Sequence, residues 1–71
     1  MAEAAAMLRH ALNVTIANAE AEIARLNDLH AEQLKLGRQD RAEEARLWCR
    51  IFRVRILEMQ GLIAIVAAEQ P

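Results

Sequence analysis

Along the second half of the chain, Ala42, Ala45, Cys49, Phe52, Ile56, Met59, Ile63 and Val66 recur in alternating steps of three and four. This is the rhythm of a helix packed lengthwise on another helix. The first half carries the same rhythm at Leu12, Ile16, Ala19, Ile23, Leu26, His30 and Gln33. Between them, "LKLGRQDRAEE" supplies Gly37, a residue suited to the left-handed conformation that ends helices. Asp40 follows where an N-cap is wanted, with Glu43 three residues on in capping-box spacing. The pattern predicts helix 1 over about 4–36, a turn at about 37–40 and helix 2 over about 41–69. Reversal about residue 39 sets Leu12 against Val66, Ile16 against Ile63, Ala19 against Met59 and Ile23 against Ile56. It also sets Leu26 against Phe52, His30 against Cys49 and Gln33 against Ala45. One short turn thus aligns both seams, and the expected fold is an all-α antiparallel two-helix hairpin in a single domain. A brief strand-like alternation in "CRIFRVRI" competes with this reading, but it has no second strand to pair with and breaks the heptad.

Helix 2 carries more oil than one seam needs. At 100° per residue, Leu47, Val54, Gly61 and Ala68 fall on the side opposite the seam, flanked by Leu57 and Ile65. Ile51 and Leu62 fill the ground between. Leaving an aliphatic side chain of this kind in water forfeits roughly 1.5–3 kcal/mol, and a small domain has only about 5 kcal/mol or little more in total. A hairpin has one inside, so the second stripe calls for company: a second copy, a protein partner, or both. A homodimer forming a four-helix bundle is the simplest arrangement. Gly61 lies within this stripe and, lacking a side chain, permits close approach by another helix.

Size sharpens the point. Seventy-one residues with one cysteine exclude an internal disulfide, and chains this short need a staple or a partner. The lone Cys49 and the absence of a signal-peptide pattern in "MAEAAAMLRHAL" read as a cytoplasmic protein. Asn13-Val14-Thr15 is then a sequon without consequence. Arg50, Arg53, Arg55 and Glu58 interrupt the apolar run and leave it too short to span a membrane.

Formal net charge is −1, which predicts no general affinity for nucleic acid. Charge is unevenly placed, however: Arg46, Arg50 and Arg53 form a stripe beside the second apolar face. This stripe suits an acidic protein surface better than RNA, and its plainest reading is a solvated face paired with Glu20, Glu22, Asp28 or Glu32 of helix 1.

Reactive chemistry is sparse. His30 and Cys49 share an expected layer, yet neither has a second ligand at i+3 or i+4, so a buried histidine beside an inert thiol is expected, with no metal and no cofactor. Neither a phosphate loop nor an oxyanion hole is signalled, and Glu43/Glu44 and Glu20/Glu22 look like solvated charges. No enzymatic activity is expected.

Two resemblances bear on function. "LRHALNVTIANAEAEIAR" (8–25) and "LEMQGLIAIV" (57–66) resemble the two helices of the small hairpin co-chaperones of type III secretion, which hold needle subunits in the cytosol. "RLNDLHAEQ" (25–33) is similar to the pre-turn segment of the plasmid copy-number regulators that dimerise into a four-helix bundle and bind RNA hairpins. The expectation is therefore a non-enzymatic protein–protein interaction module: a co-chaperone, adaptor or inhibitor. It would act through Leu47, Val54, Leu57, Gly61 and Ile65, with Arg46, Arg50 and Arg53 alongside. The alternatives are an RNA-binding four-helix-bundle regulator using the arginine stripe and a small phage-encoded inhibitor of a host protein.

Overall fold

The computed structural model describes residues 2–69, with side-chain surroundings from residue 3 onward. Two helices make up the fold, α1 (Ala2–Lys35) and α2 (Gln39–Ala68). They pack antiparallel as a hairpin measuring 55 × 14 × 10 Å. Ala, Leu, Glu and Arg, the strongest helix formers, dominate both segments, and no glycine or proline falls inside α1. The segment 49–56 is continuous α-helix, so the strand-like alternation has no structural counterpart. Thr15, within the sequon-like triplet, turns its hydroxyl onto the Ala11 carbonyl of its own helix at 2.8 Å.

Every α2 residue assigned to the seam is buried or half-buried, and so is every assigned residue of α1. Ala45 and Cys49 are sealed with Leu26, and Ile23, Leu29 and Phe52 pack against this cluster, while Ala42 is buried closer to the turn. The α1 seam runs further than the pattern suggested, through Arg9 to Ala5, both half-buried.

The turn differs from the expected one. Gly37 adopts φ +72°. Its N–H donates to Leu34 O at 3.0 Å, while the Arg38 N–H donates to Gln33 O at 2.9 Å. These two bonds are the Schellman closure of a helix. The chain then needs only one further residue to begin again: Arg38 stands at the N-cap and its carbonyl accepts from the Ala42 N–H at 3.0 Å. Asp40 is therefore not the N-cap. It lies in the first turn of α2, where a carboxylate is favoured by the helix dipole. Glu43 makes no capping box and bonds Arg46 instead. The tight closure at Gly37 reverses the chain before Asp40 can cap anything.

Shortening the turn moves the layers. His30 donates from Nδ1 to the Ala42 carbonyl at 2.8 Å, and the Cys49 thiol is directed at Asn27 Oδ1, 3.4 Å away, and Ile23 O, 3.7 Å away. His30 and Cys49 therefore occupy different layers, and Leu26 is sealed with Ala45 and Cys49, with Phe52 packed against that cluster. Each α1 seam residue faces about one step nearer the α2 N-terminus than the sequence register implied.

Candidate functional site

The far side of α2 carries a row of exposed apolar side chains. Leu47, Val54 and Ile65 are about half exposed, and Leu57 keeps 67% of its surface. Ile51 and Leu62 are likewise exposed. Leu47, Ile51 and Val54 line an open depression of about 550 Å³ whose rim is Arg50, Arg55 and Glu58. The structure thus brings together Leu47, Val54 and Arg50 of the expected site. Leu57, Gly61 and Ile65 continue along the helix beyond the depression, and Arg46 and Arg53 lie outside its rim.

Gly61 is not required by packing within the chain. A methyl group placed there meets no atom within 4 Å. The helix therefore bears a destabilising residue, worth about 1 kcal/mol against alanine, at a position where its own hairpin makes no use of the vacancy.

The arginine stripe is not tied to α1. Arg46 pairs with Glu43 of its own helix, through Nε at 3.0 Å and Nη2 at 2.5 Å. That hydrogen bond, reinforced by the Arg46 charge, holds the Glu43 carboxyl below the usual carboxylate range and raises Arg46 in return. Glu22 is held down in the same way by Arg25, also within one helix. The expected cross-helix pairs from the stripe to Glu20, Glu22, Asp28 or Glu32 do not form; for Arg46 and Glu22, a partner three residues away on the same helix takes their place. Among the described residues, Arg50 and Arg53 make no ion pair. Arg55 lies over the Phe52 ring, 5.6 Å from its centroid.

Sequence reasoning passed over Arg55 and Glu58 as site residues. Their signal was present: Glu58 is the one charge at a heptad position of the second stripe, and Arg55 stands three residues before it. Trp48 was also missed. It is 44% exposed, lies 6.3 Å from Phe52, and borders a smaller hollow of about 250 Å³ with Leu29, Gln33, Arg41 and Glu44.

Other polar groups inside the hairpin are few. Arg9 Nε and Gln33 Oε1 are buried without a hydrogen-bond partner. His30 uses its Nδ1 hydrogen on a backbone carbonyl. Cys49 is a buried free thiol. Among the described residues, no cluster of three His, Cys, Asp or Glu side chains is arranged to hold a metal ion. No helix there is long and apolar enough to cross a membrane. Compared with protein-family models, curated proteins and solved structures, the chain shows no match.

Proposed function

We propose that this chain is a non-enzymatic protein-binding module that works through the outer face of α2. One observation carries the reading: Leu47, Ile51, Val54, Leu57, Leu62 and Ile65 remain exposed on one helix after the hairpin has closed. Singly exposed apolar residues are ordinary, but a contiguous row along one face marks a contact surface. The arginines and Glu58 at its edge supply the polar rim that such surfaces carry.

The resemblance of 8–25 and 57–66 to needle co-chaperones favours, among protein binders, a holder of other helical chains. That occupation suits the geometry, since an amphipathic helix laid along α2 buries its apolar face as it covers this one. An adaptor or inhibitor would use the same face.

A photo-crosslinking residue in place of Val54, incorporated in the native host, should give a discrete protein adduct. The same residue at Asn13, on an exposed polar part of α1, should give none. Leu47→Glu, which touches only the outer face, should abolish the Val54 adduct while leaving the helical circular dichroism unchanged. Equal labelling from Val54 and Asn13, or no adduct from Val54, would discard this surface.

A further inference from the structure

We propose that the outer face of α2 is covered by α2 of a second copy running antiparallel, with Arg55 of each copy paired to Glu58 of the other. This rests on the protein-binding reading above and names the occupant of that face.

Surface area favours a substantial partner. The chain exposes 5506 Å², whereas a compact monomer of its 8.0 kDa exposes about 4,500 Å². The surplus of about 1,000 Å² is of the size that each partner contributes to a stable interface, about 800 Å².

A second seam exists to receive it. Leu47, Ile51, Val54, Glu58, Gly61, Ile65 and Ala68 follow steps of four and three, a heptad row lying roughly 180° around α2 from the hairpin seam. Because the two rows stand on opposite sides of the helix, a partner on the outer row leaves α1 undisturbed. The four helices of the pair would lie side by side, α2 against α2 at the centre, rather than in a square bundle.

Charge selects the direction. Residues 46–55 of α2 carry Arg46, Arg50, Arg53 and Arg55 and no acid, after Asp40, Glu43 and Glu44 in its first turns, and residues 56–69 carry only Glu58 and Glu69. Parallel alignment stacks arginines on arginines, and antiparallel alignment lays the arginine stretch over the stretch that has none. Arg55 and Glu58 both lean to the same flank of the outer row. A two-fold axis between Ile56 and Leu57, perpendicular to the helices, carries that flank onto itself in reverse. Arg55 then faces Glu58 of the second copy, and the contact occurs twice. The same axis brings Leu47 within a residue of Ile65 and Gly61 within a residue of Ile51. A glycine opposite an isoleucine accounts for the vacancy that the hairpin itself does not use.

Sedimentation equilibrium of the full chain and its charge variants tests this. The unmodified chain should be a dimer. Glu58→Arg and Arg55→Glu each place like charges together twice and should weaken self-association at least about tenfold, since like-charge contacts at an interface are strongly unfavourable. Both positions are exposed, so the circular dichroism should be retained. An equimolar mixture of the two single variants should recover dimers, and so should the double variant Arg55→Glu/Glu58→Arg by itself. Unmodified chain mixed with the double variant should form no mixed dimers. Formation of those mixed dimers would overturn the proposal, as would single variants that dimerise normally. A monomer at about 100 μM, well above ordinary stable-dimer affinities, would also overturn it. In that last case, a Val54 adduct with a different polypeptide would leave the protein-binding reading standing, and loss of that adduct would end both.

Discussion

The two ends of the hairpin share one seam and bury it differently. Near the turn, Ala42, Ala45 and Cys49 keep 1%, 2% and 3% of their surface. Beyond Phe52, the larger Ile56, Met59, Ile63 and Val66 are only half-buried. Two helices touch along a line, so an alanine fits wholly inside the contact while a branched or long side chain overhangs it. The turn adds its own constraint, holding the helices together where the small residues lie. A two-helix interface can therefore seal small residues readily, but of the larger seam residues only Ile16 and Leu26, both on α1, are buried, and the large seam residues of α2 stay partly wet.

The severest challenge to this contrast is truncation of the one large side chain buried at the turn end. Leu26→Ala should cost about 2–5 kcal/mol, enough to unfold most of a domain this small. Ile63→Ala, at the open end, should cost about 1 kcal/mol, because much of its side chain is already in water. Urea denaturation of both variants would settle the matter, and equal losses would refute the difference between the ends. Next in size is overfilling: Ala45→Leu should destabilise by about 1–3 kcal/mol where there is no room to expand.

The two glycines sharpen the contrast further. Gly37→Ala forces a side chain into the left-handed region and should cost about 1–2 kcal/mol. Gly61→Ala has open space around it and should stabilise the isolated hairpin by up to about 1 kcal/mol. Thermal melts at concentrations low enough to hold the chain monomeric should show the two shifts in opposite directions. If Gly61→Ala also lowers the melting temperature there, the glycine serves the hairpin itself.

The smallest effect concerns acid. Glu22 and Glu43 have lowered carboxyl pKa values in the folded chain. Their pairs therefore contribute fully above the ordinary carboxylate pKa and are lost as pH falls through the lowered values. Helicity should decline slightly over that acidic range, and Glu43→Gln should remove part of the decline. Because both pairs are exposed, salt should blunt the effect as well.

The expected site was partly visible from the sequence. Periodicity separated the outer row of α2 from its seam, and Leu47, Val54, Leu57 and Ile65 are exposed where that arithmetic put them. Arg46 was placed correctly on the helix but given the wrong partners, since Glu43 intercepts it. Arg55 and Glu58 looked like interruptions of an apolar run until the depression showed them on its rim.

Helix formation and the choice of inward faces were fixed by the order of residues alone. Both follow from local propensity and from a 3.6-residue period that any part of the chain carries with it. The pairing of layers was decided in three dimensions. It depends on how many residues the reversal consumes, and Gly37 with Arg38 closes the turn before Asp40 is reached. That economy shifts His30 away from Cys49 and draws Arg9 into the seam. Register is a property of two helices held together, and the geometry of one turn sets where it begins.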